Sequence, residues 1–167
     1  EQYAKRGNQN RFILPKPIIN RGGCNLSFAG LKTAVLKISK NIKNEQDKFD
    51  LAASFQKTIL DILLKKTTIA FKEYEKVNLR KNKIFVVAGG VAANEKIRQM
   101  LIKLCDENGY KPVFPPISLC GDNAAMIAMV GLEKFKTNTF STLDSPAKPR
   151  WPLDEKAEFL KGAGVKL

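Results

Sequence analysis

The stretch "KIFVVAGGVAANEKIRQ", residues 83–99, passes from an apolar run through two glycines into a helical pattern. Residues 84–88 are apolar without interruption, which is typical of a strand buried on both faces of a parallel sheet. Apolar residues then recur at helical spacing until Gly109, a residue type that commonly ends a helix. The stretch therefore predicts a buried strand, a turn that contains Gly89 and Gly90, and a helix.

A second strand and helix follow in "PVFPPISLCGDNAAMIAMV", residues 112–130. We predict a short strand over 112–114, a turn that includes two prolines, and a helix rich in alanine and methionine. The order strand, helix, strand, helix favours α/β layering with parallel strands and right-handed crossovers. We call residues 89–94 the first turn and residues 115–122 the second turn.

The part of the chain before these units reads mainly as helix. An extended, proline-marked segment leads to a helix after Gly30, and the charged residues 40–48 are predicted to form a loop. The next segment has the spacing of apolar side chains that marks a long amphipathic helix, and such a stripe usually packs in a core or in a helix bundle. Its members recur at every fourth position: Leu51, Phe55, Ile59 and Leu63.

The composition limits the classes of protein to which the chain could belong. Its 167 residues include 29 Lys and Arg against 16 Asp and Glu, which gives a formal net charge of +13. Such a charge favours a polyanionic partner such as nucleic acid, but a lysine-rich solvated surface explains it equally well. There is no histidine, so the chain alone cannot form a Ser-His-Asp triad or an HExxH zinc site.

The cysteines and the apolar runs indicate a compartment. Cys24, Cys105 and Cys120 are odd in number, widely spaced and without a CxxC motif, so neither a disulfide framework nor a zinc knuckle is indicated. No apolar run approaches the length of a membrane span, and the first residues lack the pattern of a secretion signal. We therefore expect a protein of the reducing cytoplasm without a membrane partner.

The first turn has a functional and a structural interpretation. Gly89 and Gly90 carry no side chains, so a phosphate or ribose could approach the backbone closely, near the positively polarised amides of the next helix. Asn94 could form hydrogen bonds with a ribose or a small polar substrate. Alternatively, the glycines simply connect strand and helix, and Asn94 is an N-cap. The turn matches neither a Walker A motif nor GxGxxG.

The second turn offers a carboxylate. Asp122 lies at or near a helix N-terminus, where it could serve as an N-cap or as an oxygen ligand for a metal ion. Because strand-to-helix turns of a parallel sheet lie at the same carboxyl edge, Asn94 and Asp122 could face one cleft. A single carboxylate leaves a metal site incomplete, so both interpretations of Asp122 stay open.

Several segments in a fixed order carry a family resemblance. They are "RFILPKP", "NLSFAGLKTAV", "AGGVAANEKIR", "CGDNAAMIA" and "KPRWPLD", and Asp122 follows Asn94 by 28 positions. Together they resemble the tRNA adenosine threonylcarbamoyltransferases, the TsaD family. The second segment is similar to the SFSGLKT segment of that family, with Ala29 in place of its second serine. The resemblance covers essentially the whole chain.

The resemblance implies an α/β fold of the ASKHA type, the architecture of actin, heat-shock ATPases and sugar kinases. Residues 1–167 would form its C-terminal lobe, an RNase H-like mixed sheet with flanking helices. Residues 35–80 would be a helical insertion and residues 140–167 a peripheral tail. The N-terminal lobe of the family would lie outside this sequence.

The resemblance also implies an acyltransferase that moves a threonylcarbamoyl group from threonylcarbamoyl-AMP to N6 of adenosine 37 in tRNAs reading ANN codons. Gly89, Gly90 and Asn94 would match the nucleotide- or substrate-binding turn. Asp122 would match the carboxylate ligand of one metal ion, iron or zinc, whose histidine ligands belong to the N-terminal half. The implied partners are tRNA, a paralogous ASKHA protein and a P-loop ATPase. The chain by itself would be inactive.

Two other functions are compatible with these motifs. A related ASKHA ATPase or phosphotransferase would use the same glycine turn for a nucleotide, and a non-catalytic remnant would only bind tRNA or a partner protein. An acyl-adenylate is already activated, so its transfer requires no nucleophilic side chain, and the sequence identifies no catalytic residue. Ser27, Lys32 and Trp151 lie in family-like motifs without an assigned role.

Overall fold

The computed structural model describes residues 1–77 and 82–147. Glu1–Asp122 forms one compact unit, and a second unit begins at Asn123. Among the described residues, no helix is long and apolar enough to cross a membrane. Short 3₁₀ turns occupy Tyr3–Arg6, Gly90–Ala93 and Ile117–Leu119. The helices and strands are α1 (Leu31–Ser39), α2 (Glu45–Val77), β1 (Ile84–Val86), α3 (Glu95–Asn108), β2 (Lys111–Val113) and α4 (Ala124–Lys136).

The N-terminal segment lies against α2 and is fixed at both of its ends. Near its start, Gly7 is required because a Cβ atom at this position would lie 2.0 Å from the carbonyl oxygen of Phe49. Further along, the buried ammonium group of Lys66 donates to the carbonyl oxygens of Arg21 (2.6 Å) and Gly23 (3.2 Å). The segment that the sequence predicts as extended is therefore anchored on the long helix.

Two polar side chains of α2 hold the middle of this segment. The backbone N–H of Asn8 donates to Asp50 Oδ1 (2.7 Å), and that of Phe12 donates to Ser54 Oγ (3.1 Å). The hydrogen bond from Asn8, supported by one from the Gln46 side chain, lowers the pKa of Asp50 from its ordinary value. Asp50 is thus a carboxylate that the fold itself uses.

Helix α2 begins earlier than the charged composition of residues 40–48 predicted. The side chain of Asn44 accepts a hydrogen bond from the N–H of Asp47 (2.8 Å), as an N-cap does, and Asp47 accepts one from the N–H of Lys43 (3.1 Å). The predicted loop is therefore wrong beyond Asn44, because this pair of polar residues starts the helix at Glu45. The long amphipathic helix itself is confirmed.

Strands β1 and β2 pair in parallel, with Ile84 opposite Lys111 and Val86 opposite Val113. This pairing confirms the predicted parallel α/β order. The prediction that β1 is buried on both faces is wrong, because Ile84 and Val86 are 54% and 63% exposed. Only the face that carries Phe85 packs on the core, and nothing among the described residues covers the opposite face. A larger, mixed sheet stays a prediction, since the described part of the chain contains these two strands.

The core of the first unit lies between α2, α3 and the sheet. Phe71 of α2 stacks on Tyr110 with ring centroids 3.8 Å apart, and Gly109 ends α3 with a left-handed φ of 69°. This packing fixes α3, and thereby the turn in front of it, against α2. The side of α3 that the sequence predicts as apolar is buried: Ile97, Leu101, Leu104 and Cys105.

Helix α4, in the unit that begins at Asn123, confirms the predicted alanine- and methionine-rich helix. None of its residues is buried. Its exposed large apolar side chains include Met126, Ile127, Val130 and Phe135. The helical insertion over 35–80 and the tail over 140–167 stay predictions, and most of the tail lies outside the described residues.

Candidate functional site

The first turn leads from β1 into α3, and its backbone requires glycine at one position. Gly89 has a φ of 91°, in the region that L side chains rarely adopt. The 3₁₀ turn Gly90–Ala93 follows, so α3 does not start directly after the glycines. Asn94 then caps α3, because its side-chain oxygen accepts a hydrogen bond from the N–H of Ile97 at 3.1 Å. The structural interpretation of Asn94 is therefore confirmed.

The nitrogen end of the Asn94 side chain also has a partner in the fold. Its Nδ2 donates to Oε1 of Gln56 on α2, at 3.3 Å. Both residues line a cavity of about 770 Å³. A ligand in this cavity would therefore meet the Asn94–Gln56 amide pair, and ligand binding by Asn94 stays a prediction beside its capping role.

The cavity has mainly apolar walls. Gly90 and Val91 of the first turn line it, whereas Gly89 does not. Its volume lies within the range of roughly 300–1,000 Å³ that is usual for small-molecule sites. Because Phe55 is 40% exposed, the stripe on α2 that the sequence predicts as core contributes partly to this wall instead. The stripe residues in the wall are Phe55, Ile59 and Leu63, beside Phe28 from the segment before α1.

In the second turn the predicted site residue, Asp122, is not the N-cap of the following helix, whereas Asn94 of the first turn is. Asn123, and not Asp122, caps α4, because the Asn123 side-chain oxygen accepts a hydrogen bond from the N–H of Met126 at 3.0 Å. Asp122 is exposed, and its carboxylate has no hydrogen bond or ion pair within the described parts of the chain. The N-cap interpretation of Asp122 is therefore wrong, since the residue after it takes that position.

The predicted site residues are only partly brought together. Gly90 and Asn94 line one cavity, and Asp122 is not among the residues that line it. The prediction that Asn94 and Asp122 face a common cleft therefore stays a prediction.

Arg98, on α3, contacts both turns, and the sequence analysis did not identify it. Its Nε donates to the carbonyl oxygen of Ala92, and its Nη2 donates to the carbonyl oxygen of Pro115 (2.9 Å) and to Sγ of Cys120 (3.1 Å). Its guanidinium carbon lies 4.9 Å from the centre of the Phe114 ring. The signal for this role was its position in "AGGVAANEKIR", one helical turn after the Asn94 cap.

The described residues do not form a metal site by themselves. Residues 1–77 and 82–147 contain no group of three or more His, Cys, Asp or Glu side chains that could hold a metal ion. Asp122 offers one hard oxygen ligand, and a structural or catalytic site needs at least two more. The residues that the structure describes therefore do not fit a complete metal centre.

Of the three residues without an assigned role, the structure explains Ser27 by a local hydrogen bond. Ser27 Oγ accepts a hydrogen bond from the N–H of Ala29 (3.3 Å), which shapes the bend before α1. Lys32 is exposed near the N-terminus of α1, and nothing in the structure explains it further. Trp151 lies outside the described residues.

Comparison with known proteins gives one consistent result. The family model for TsaD, tRNA N6-adenosine threonylcarbamoyltransferase, matches residues 1–129. The chain is 71% identical over 168 residues to the tRNA N6-adenosine threonylcarbamoyltransferase of Pelagibacter ubique, across 100% of this chain and 47% of that protein.

Proteins of the same name in other bacteria are also similar. The identity is 41% to the protein of Roseobacter denitrificans, over 99% of this chain and 47% of the relative. It is 46% to the protein of Rickettsia rickettsii, over 93% of this chain and 46% of the relative. The chain thus spans about half the length of the curated relatives that it matches.

Proposed function

Because this chain belongs to the TsaD family of tRNA N6-adenosine threonylcarbamoyltransferases, we propose that it forms the C-terminal lobe of such an enzyme. The proposed reaction transfers a threonylcarbamoyl group from threonylcarbamoyl-AMP to N6 of adenosine 37 in tRNAs reading ANN codons. The observation that carries the proposal is the 71% identity to a protein of that name across the whole chain. The ASKHA architecture of the lobe is part of the same proposal.

The chemistry demands little of the side chains in this lobe. The amine nitrogen of adenosine attacks the carbamoyl carbon, a C–N bond forms, the C–O bond to the phosphate breaks, and AMP leaves with the electron pair. The amine releases one proton. Because the acyl-adenylate is already activated, positioning and polar stabilisation of the carbonyl oxygen are the main requirements. This agrees with a cavity that presents amide groups and no nucleophile at the first turn.

We assign the cavity beside the first turn to the adenylate. Its apolar wall would take the flat face of the base, and the Asn94–Gln56 amide pair would donate and accept hydrogen bonds. Gly90 would let the ligand approach the backbone, and Gly89 would supply the backbone conformation that the turn needs.

We assign Asp122 to a metal ion, iron or zinc, that is completed by ligands from outside this chain. A carboxylate that is exposed and not used by the fold is available for that purpose. Since the described residues supply a single ligand to this ion, we expect no stoichiometric metal binding by the chain alone.

The proposed tRNA partner agrees with the distribution of charge. Residues 1–44 contain nine of the 29 basic side chains and only one of the 16 acidic ones. Arg11 and Lys43 from this region line a common surface cavity with Asp47, and Lys37 and Lys40 are exposed and lie next to its lining residues Ile38 and Asn41 in the sequence. The surface formed by Arg11, Lys37, Lys40 and Lys43 would bind the phosphate backbone by counterion release. A paralogous ASKHA protein and a P-loop ATPase are the further partners that we propose, in the cytoplasm.

A chimera tests the proposed function. In it, this chain replaces the 168-residue segment that it matches in the Pelagibacter ubique relative. We expect the chimera, with threonylcarbamoyl-AMP and tRNA, to yield modified adenosine and AMP, and the isolated chain to yield neither. Release of ADP and phosphate from ATP without modified adenosine would instead identify an ATPase or phosphotransferase. Salt-sensitive tRNA binding without either product would identify a non-catalytic remnant.

The basic surface has its own test with a matched control. Replacing Lys37, Lys40 and Lys43 with Gln in the chimera should reduce the slope of log K against log salt for tRNA by about 2, since each lost phosphate contact contributes about 0.7–0.9. The control replaces three exposed lysines elsewhere, Lys65, Lys72 and Lys103, with Gln. Equal effects of the two sets would contradict the assignment of this surface.

A further inference from the structure

We propose that Arg98 is a positioning residue that holds the first turn and the second turn at a fixed separation. The inference rests on the proposed function, in which both turns contribute to one site. Arg98 and both turns belong to the same compact unit, Glu1–Asp122.

The guanidinium group of Arg98 reaches one atom of the first turn and two of the second. On the first turn it binds the carbonyl oxygen of Ala92, two residues before Asn94. On the second it binds Pro115 O and Cys120 Sγ, and Cys120 lies two residues before Asp122. Two of the bonds thus hold backbone carbonyl groups, one in each turn, and the third holds the Cys120 side chain close to Asp122 in the chain.

The contacts of Arg98 are anchored in the core. The Phe114 ring, over which the guanidinium lies, packs against the buried cluster of α2 and α3, and Cys120 is only 3% exposed. No carboxylate within residues 1–77 and 82–147 forms an ion pair with Arg98. Its donors are therefore directed at the two turns and not at an acidic partner.

Arginine is suited to this place by its shape. The guanidinium is a rigid plane with five N–H donors, so it can bind acceptors in different directions while its face rests on an aromatic ring. A lysine ammonium is a compact point charge and cannot reproduce both the fork and the stacking. Since a misplacement of about 1 Å can cost about 100-fold in rate, a link of this kind between two ligand-binding turns has a direct kinetic consequence.

The test compares Arg98→Lys with Arg6→Lys in the chimera. Arg6 also lies over an aromatic ring, that of Phe49 at 4.0 Å, but its stacking partner is on α2 and not in either turn. Amide hydrogen exchange is followed for residues 89–94 and 117–122, and kcat and KM are measured with threonylcarbamoyl-AMP. Exchange at residues in the middle of α2 serves as the reference for intact folding.

We expect R98K to accelerate exchange in both turns about tenfold, because a hydrogen bond to a charged group is lost from each. We expect kcat to fall about tenfold or more while KM changes less than threefold, and R6K to change none of these. A loosening of both turns without a fall in kcat would overturn the positioning role. Unchanged exchange in either turn would overturn the link itself.

Cys120→Ala is the second variant, and it decides the matter if R98K fails to fold. It removes one acceptor of Arg98 on the second turn, together with the long contacts of Sγ to the carbonyl oxygens of Pro115 and Pro116, and leaves the bonds of Arg98 to Ala92 and Pro115. We therefore expect faster exchange over 117–122 only, with a lower kcat. Equal loosening of both turns, or of neither, would contradict the proposal. If the unsubstituted chimera modifies no tRNA, the proposed function fails, whereas the exchange measurements still establish or refute the link through Arg98.

Discussion

The first turn and the second turn hold equivalent places in consecutive strand–turn–helix units, yet the fold uses their polar side chains differently. Asn94 is engaged at both ends, as the cap of α3 and as a donor to Gln56. In the second turn the cap of α4 is Asn123, and Asp122 is left exposed with no partner for its carboxylate among the described residues. The predicted site residue is thus the N-cap itself in the first turn and the residue before the N-cap in the second turn.

This difference shows which of the two residues the fold explains. Removal of Asn94 would leave the N-terminus of α3 without its cap, so folding alone accounts for that side chain. Asp122 contributes to folding only the modest attraction of a negative charge to a helix N-terminus, about 0.5 kcal/mol. Folding therefore explains Asn94 but does not explain Asp122, which makes Asp122 the better candidate for ligand binding.

The largest effect should come from Asp122. In the chimera, Asp122→Ala should lower tRNA modification about 100-fold or more and reduce bound metal, because a charged ligand of a site contributes several kcal/mol. Its thermal unfolding should stay within about 2 °C, since an exposed side chain is lost. Asp106→Ala, at another exposed carboxylate, is the control. Activity and metal content within threefold of the unsubstituted chimera would refute the assignment.

A smaller effect is expected at Asn94, where two substitutions separate capping from ligand binding. Asn94→Asp keeps an oxygen that caps α3 but loses the Nδ2 donor, so stability should hold while KM for the adenylate rises about tenfold. Asn94→Ala loses both and should also lower the free energy of unfolding by about 1 kcal/mol. If N94D and the unsubstituted chimera have the same KM, Asn94 is a structural residue only.

Substitutions can also test that Asn123, and not Asp122, caps α4. Asn123→Ala should accelerate exchange of the Met126 amide roughly fivefold, the equivalent of about 1 kcal/mol for a lost cap. Asn123→Asp, which keeps a capping oxygen, should not. Asp122→Ala should leave that amide nearly unchanged. If D122A accelerated exchange of the Met126 amide more than N123A does, Asp122 and not Asn123 would be the cap of α4.

The smallest expected effect is a pH dependence at Asp50, which serves as a reference for a carboxylate that the fold uses. Since its folded-state pKa is lowered from 3.8, its stabilising contribution is fully present above pH 3.8 and is lost as pH falls through the lowered pKa. Protection of the Asn8 amide should decline over that acidic range. Asp50→Asn should remove this decline, and Asp122→Asn should not. Protection that declines already near neutral pH would contradict the assignment to Asp50.

Much of the framework followed from local sequence signals. Gly109 and Asn94 mark the ends of α3 because left-handed glycine and capping asparagine satisfy backbone groups locally. The buried face of α3 could be predicted from the helical spacing of its apolar residues. The choice between Asp122 and Asn123 as the cap of α4 did not follow, because neighbouring residues of similar capping strength differ only in backbone conformation.

Long-range features were the ones that the sequence could not supply. The burial of β1 depends on which layers cover its two faces. An apolar run does not indicate whether the same stretch of sequence supplies those layers. The spacing on α2 predicts a stripe that packs in a core or a bundle, and it does not indicate that Phe55 and Leu63 also line a cavity. The contacts of Arg98 could not be predicted from the sequence, because only the folded structure brings its acceptors in the two turns together.

Within the described residues, the sheet consists of β1 and β2 and no further strand pairs with their outer edges, which has a practical consequence for solutions of the isolated chain. The edge that carries the exposed Ile84 and Val86 can pair with strands of other copies. The net charge of +13 opposes such association through mutual repulsion. Because dissolved ions weaken that repulsion, the chain should remain monomeric best in dilute buffer and precipitate as salt is added.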